Sequence, residues 1–200
     1  LGGSRDHGHG LAYRWAQAGQ RVIIGSRDEQ RAQAVAADLG ATVEGATNVV
    51  CAARADVVVA AVPWAGHEAL LTELRPALAG KIIVDCVNPL GFDKQGAFAL
   101  AVAQGSAAQQ AAELLPDSTV VAAFHHISAV LLLDDSVPTL DTDVLVLGDK
   151  REATDTVQAL ANRIPGLRGI YGGRLRNAAQ VEAFTANLIS INRRYKAHGG

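Results

Sequence analysis

Gly3, Ser4, Arg5, Asp6, His7 and Gly8 form a glycine-bearing run at the head of the chain, followed by Gly10 and an amphipathic stretch. In a strand–turn–helix unit, glycines so spaced let the backbone approach a pyrophosphate. The helix start adds free N–H groups and a partial positive charge. Gly3 and Gly8 fill the first and third positions of that dinucleotide fingerprint, while Arg5 stands at the second. Taken alone, the run also suits a glycine-rich surface turn. Further along, the segment IIGSRDEQR puts Ser26 and Arg27 where an NAD-binding fold carries an acid for the ribose 2′-hydroxyl. Ser26, Arg27 and Arg31 can surround a 2′-phosphate with charge-assisted bonds, whereas a carboxylate there repels it. Asp28, the nearest acid, reads as a helix N-cap turned towards backbone N–H groups. The string favours NADP over NAD.

The elements that must position these residues alternate regularly. Short Val/Ile-rich runs at residues 21–25, 56–63, 81–89 and 118–126 are separated by amphipathic segments at residues 28–40, 66–80 and 105–115. A short helix is expected near 47–54, a strand at 143–148, a helix over 151–164 and a short strand near 167–171. A long helix over 174–197 closes the chain. Continuous apolar strands between helices predict an α/β fold, a Rossmann-type doubly wound sheet whose five or six parallel strands come from the first half of the chain. Residues 1–124 are expected to form the nucleotide-binding domain and residues 125–200 a smaller, helix-rich C-terminal domain. The loop DDSVPTLDT is the expected exposed connection.

Composition narrows the function. The chain has 200 residues, 49% hydrophobic and 19% charged, with net charge −2. This is an ordinary globular balance, without the basic excess that nucleic acid demands. No apolar run reaches the length of a membrane span. Cys51 and Cys86 sit in apolar runs and read as reduced core thiols, which suits a cytoplasmic protein. Cys86 lacks a sequence-evident base, so a structural role is expected rather than a nucleophile. Trp15 reads as core. The run Arg193, Arg194, Tyr195, Lys196 suits a helix C-terminus. His125 and His126, adjacent on a strand, would point to opposite faces and so could not share a metal; no metal site is expected.

Several segments together carry a resemblance to a known family. GLAYRWAQAGQRVIIGSRD, VPWAGHEALL, DCVNPLGFDKQG, GSAAQQAAELLPDSTVVAAFHHISAVLL and RNAAQVEAFTANLISINRRYKAHGG resemble the NADPH-dependent coenzyme F420 reductases across essentially the whole chain. The resemblance implies reversible hydride transfer between NADP(H) and an 8-hydroxy-5-deazaflavin. It also implies a homodimer and a C-terminal part that closes over the deazaflavin. Family members carry Thr or Ser at the position of Ser4, and the Ser26, Arg27 and Arg31 positions match the family's phosphate pocket. Arg5 replaces a family glycine. The family's lead-in strand lies before Leu1, so the sequence is expected to lack its natural start. By the same resemblance, Val62, Pro63 and Trp64 flank the nicotinamide. The deazaflavin pocket takes Asn88, Pro89, His125, Ile127 and Ser128, with Leu188 and Ser190 from the last helix.

Hydride transfer between two planar rings needs stacking and exclusion of water more than a side-chain acid. No residue is therefore assigned as catalytic, although His125 could bond the deazaflavin. Two other readings compete. Another NADP-linked reductase, acting on an imine or 2-keto acid, is disfavoured by the lack of a recognisable catalytic-lysine motif. A non-enzymatic NADP-binding protein would follow if Arg5 blocked the pyrophosphate.

Overall fold

A computed structural model describes residues 1–3 and 6–199. The expectations for Ser4 and Arg5 lie outside the described residues. The first helix, α1 (Asp6–Gln17), begins at Asp6 rather than near Leu11. An acid in the first turn complements the helix dipole. Next come β1 (Val22–Ser26), α2 (Glu29–Leu39), β2 (Val43–Thr47), α3 (Asn48–Arg54), β3 (Val57–Ala60), α4 (Trp64–Leu78) and β4 (Ile82–Asp85). After β5 (Leu90–Asp93), β6 (Gly96–Ala99) and α5 (Ala107–Leu114), the chain returns to the sheet as β7 (Thr119–Ala122). It ends with α6 (Ala129–Leu132), β8 (Thr142–Gly148), α7 (Arg151–Ala161), β9 (Leu167–Gly173), a 3-10 turn (Leu175–Asn177) and α8 (Ala178–Tyr195).

The pairs β1 with β2, β3 with β4, and β4 with β7 are parallel, as helical crossovers require. Alternation along the strands divides the core between two faces. Ile83 and Val120 pack with Leu71, Leu74, Leu78, Ala108 and Leu115 on one side. Val84 and Val121 pack with Leu11, Trp15, Phe124, Val157 and Ile164 on the other. Trp15 is core as expected, its indole N–H donating to the Leu160 carbonyl at 3.0 Å. Both cysteines are buried and free, and burial pushes the Cys86 thiol well up.

The parallel, doubly wound reading of the first half holds, and four features depart from or add to the expectations. First, in the C-terminal part β8 runs antiparallel to β7, while β9 is parallel to β8. The link from β7 to β8 holds only the four-residue α6 and makes no packed crossover. Second, the described strands form one sheet in the order β3, β4, β7, β8, β9 and a separate pair, β1 with β2. Leu1 lies between them: its backbone nitrogen donates to the Val59 carbonyl at 2.7 Å, and Ala61 N–H donates to the Leu1 carbonyl at 3.1 Å. Third, residues 90–118 hold an unanticipated hairpin, β5 with β6. Asp93 accepts from the N–H groups of Gln95 and Gly96 in its turn.

Finally, the strand expected over residues 118–126 stops at Ala122, so His125 and His126 lie in a turn. Phe124, at φ 64, is left-handed there. For a bulky residue that conformation costs about 1–3 kcal/mol and has to be held by its surroundings. The following α6 docks on α1. A Cβ on Gly10 would lie 2.6 Å from Leu132 Cβ, so the two helices meet backbone to side chain. Buried Arg14 secures the contact, donating to the carbonyls of Leu131 and Leu132 at 2.7 Å and of Asp134 at 2.9 Å.

Candidate functional site

The carboxyl ends of β3, β4 and β7 point to one edge of the sheet, where a doubly wound fold binds its ligands. The glycine turn lies there too. A Cβ on Gly8 would come within 2.9 Å of the Gly2 carbonyl and 3.2 Å of Ala61 Cβ. The start of α1 is thus pressed against the end of β3, and Gly3 lies buried against Ile24. Only glycine permits that approach. The carboxyl end of β1 joins the same corner: a Cβ on Gly25 would sit 3.0 Å from the Leu1 side chain.

Ser26 closes β1, and its hydroxyl accepts from Asp28 N–H at 3.2 Å. Asp28 caps α2 by accepting from Arg31 N–H at 3.2 Å, as its position in the sequence implied. Arg27 and Arg31 are exposed, and among the described residues no carboxylate pairs with either. The hydroxyl and the two guanidinium residues therefore gather at one strand end. Val62 follows β3, Pro63 is the N-cap of α4, and Trp64 is its first residue.

Around β4 and β7 the arrangement is tighter. Asn88 donates its amide N–H to the His125 carbonyl at 2.9 Å. Thr185 of α8 shares its hydroxyl between the carbonyls of Val181 and His125, at 3.4 Å each. Ile127 is buried, and the Ser128 hydroxyl caps α6 by accepting from Leu131 N–H at 3.4 Å. The His126 ring donates to the Asp143 carbonyl at 2.8 Å. Pro89 leads into β5. Leu188 and Ser190 lie further along α8, and the Ser190 hydroxyl donates within the helix to the Ala186 carbonyl at 2.9 Å. The α8 residue that reaches the His125 peptide is Thr185, earlier in the helix.

Four buried polar atoms here have no partner among the described residues: both ring nitrogens of His125, Nε2 of His7 and Oδ1 of Asn88. Such atoms cost free energy unless something bonds them, which suits a site that receives a polar ring edge. Burial lowers both His125 and His7 to about 4, so both rings are neutral at physiological pH. A neutral imidazole offers one donor and one acceptor.

Sequence reasoning missed a second polar cluster just behind these loops. His67 Nε2 lies 2.6 Å from Asp85 Oδ2 and His67 Nδ1 lies 3.2 Å from Gln110 Oε1, with His67 and Asp85 completely buried. Glu182 of α8 accepts from the N–H groups of Ala107 and Ala108 at 2.8 and 3.1 Å. Burial raises Glu182 to about 7 against those two donors. Burial pulls His67 down, but the bond and charge of Asp85, with Gln110 and Glu182 beyond, hold it above its ordinary value. The available signal was Asp85 itself, a carboxylate at the end of the apolar run IIVD.

This is a Rossmann-type α/β fold with helices on both faces of its sheet and an exposed basic cluster at the end of its first described strand. The family model described as "NADP oxidoreductase coenzyme F420-dependent" matches residues 1–89. The chain is 40% identical over 203 aligned positions to the F420-dependent NADP reductase of Methanothermobacter thermautotrophicus, covering 96% of this chain and 87% of that one. It is 35% identical to the F420-dependent NADP reductase of Methanocaldococcus jannaschii, covering 100% of this chain and 93% of that one. A solved structure from Arthrobacter sp. FB24 superposes with a TM-score of 0.83 at 27% identity, covering 98% of this chain and 93% of that one. The chain belongs to the F420-dependent NADP reductase family.

Proposed function

We propose that this chain transfers a hydride between NADP(H) and coenzyme F420, an 8-hydroxy-5-deazaflavin. The observation that carries the reading is the pairing of two polar clusters at the strand ends, in a chain 40% identical to a named F420-dependent NADP reductase. One is the Ser26, Arg27, Arg31 corner. The other is the polar edge of His125, His7 and Asn88, which has unbonded buried atoms among the described residues. The two coenzymes supply the redox chemistry: hydride passes between nicotinamide C4 and deazaflavin C5. The protein's part is placement. Arg27 and Arg31 hold the 2′-phosphate, Gly3 and Gly8 admit the pyrophosphate, and Val62, Pro63 and Trp64 flank the nicotinamide. Asn88, Pro89, His125, Ile127 and Ser128 line the deazaflavin side, where a neutral His125 bonds the ring without adding charge.

In this reading residues 1–124 form the nucleotide-binding part and residues 125–200 close over the deazaflavin, although β8 and β9 extend the same sheet. The exposed apolar side chains of α8 and the hairpin support a homodimer. Among the described residues no helix is long and apolar enough to cross a membrane. Two buried free thiols support a reducing compartment, the cytoplasm. The test is optical: the purified protein with NADPH should bleach oxidised F420. NADPH binding without bleaching rejects the reading, and turnover of an imine or 2-keto acid in its place would identify a different reductase.

A further inference from the structure

His67 sits at a junction of two loops that the proposed function uses. It lies in the first turn of α4, and its ring packs beside Trp64 with centroids 5.5 Å apart at 33°. Its Nε2 faces Asp85 Oδ2 at 2.6 Å, and its Nδ1 faces Gln110 Oε1 at 3.2 Å. The Gln110 amide N–H points towards Gln104 Oε1 at 3.5 Å, which orients the amide oxygen at the histidine. With Asp85 Oδ2 and Gln110 Oε1 facing its two nitrogens, the ring is held towards its charged form, above its ordinary value. The other oxygen of Asp85 accepts from Val87 N–H at 2.9 Å. Asn88, the next residue, donates to the His125 carbonyl. A chain of bonds thus runs from Trp64 and His67 through Asp85 and Val87 to Asn88 and the His125 peptide.

A completely buried ion pair gives little net stability, because desolvation offsets the attraction. This one instead ties both loops to one rigid centre. We propose that the buried His67 and Asp85 pair is a positioning device for hydride transfer, fixing the Trp64 side of the cleft relative to the Asn88 and His125 side. The inference rests on the hydride-transfer reading above. Neither residue touches the reacting rings; each acts through the loop it holds, where small displacements are costly for rate.

The test uses the whole chain and separates rate from binding. For Asp85→Ala, the single-turnover rate of F420 reduction by NADPH should fall at least tenfold, while NADPH affinity by calorimetry stays within threefold of wild type. Asp85→Asn keeps an oxygen for Val87 N–H and should recover most of that rate. Equal losses in the two variants, or wild-type rates in both, overturn the proposal. Trp64 emission gives a readout independent of activity. The groups facing His67 are Asp85 on β4, Gln110 on α5, Glu182 on α8 and the Trp64 ring. Imidazolium quenching of Trp64 should be present at low pH and be lost as pH rises through the raised value of His67. The step should vanish in His67→Gln, and a step unchanged there also overturns the proposal. A wild type that binds NADPH but never bleaches F420 removes the functional reading, and the emission result then judges the positioning claim by itself.

Discussion

On the proposed function, Ser26, Arg27 and Arg31 discriminate NADP from NAD by charge. Arg27 and Arg31 extend from one strand end into solvent, and no described carboxylate neutralises either. A bond from a charged donor to phosphate contributes about 1.5–3 kcal/mol. Arg27→Ala should therefore weaken NADPH binding roughly 10- to 100-fold and leave NADH binding nearly unchanged, which calorimetric titration of both nucleotides will show. His125 makes a different prediction. Its folded value of about 4 lies below the ordinary 6.5, so the unfolded chain takes up its proton first as pH falls. Stability contributed by the neutral ring is present above about pH 6.5 and is lost towards pH 4. His125→Gln should gain on wild type by roughly 2–3 kcal/mol across that interval in denaturant melts. A constant difference between the two proteins would reject the buried neutral ring.

At the scale of elements, α8 is fastened to α5 by Glu182, which caps the first turn of that helix. Its carboxyl is raised from 4.5 to about 7, so the folded state favours the protonated form. The associated stability is complete below about pH 4.5 and lost as pH rises through 7. Glu182→Gln lacks this loss. Its stability relative to wild type should improve by on the order of 2 kcal/mol between pH 5 and 8, read from thermal melts. Most elements were legible because period and punctuation agreed: the apolar runs became β1, β3, β4 and β7, and Asp28 capped α2 as read. The antiparallel β8 was hidden, since apolar alternation carries no direction and only the missing crossover betrays it. The β5–β6 hairpin was masked because Phe92 and Phe98 are exposed, so no buried face marked its strands. In the candidate site, the placing of Ser26, Arg27 and Arg31 at the end of β1 could be read from sequence position alone. The His67, Asp85 and Glu182 cluster could not, because its members come from three elements far apart in the chain and meet only in the folded core.

At the scale of the whole molecule, α8 and the β5–β6 hairpin leave an apolar surface uncovered. Phe184, Ile191 and Tyr195 of α8 are 52%, 45% and 73% exposed, and Phe92 and Phe98 of the hairpin are 69% and 44% exposed. Phe98, Ala183, Phe184 and Asn187 line a shallow groove where helix and hairpin meet. Phe184 and Ile191 are seven residues apart, two turns along one side of the helix. Scattered exposed side chains need no explanation, but a contiguous rimmed patch marks an interface. A stable one buries about 800 Å² on each partner, and the proposed homodimer would seat a second copy on this face. Light scattering at micromolar concentration should then give twice the chain mass. Phe184→Asp would bury an unpaired carboxylate at the contact and should return the monomer mass, with the fold intact by circular dichroism. Because α8 also carries Thr185 and Glu182, the monomeric variant should lose F420 turnover more than NADPH affinity. A monomeric wild type of full activity would show instead that the patch serves another purpose and that α8 is held in place by Glu182 without a partner.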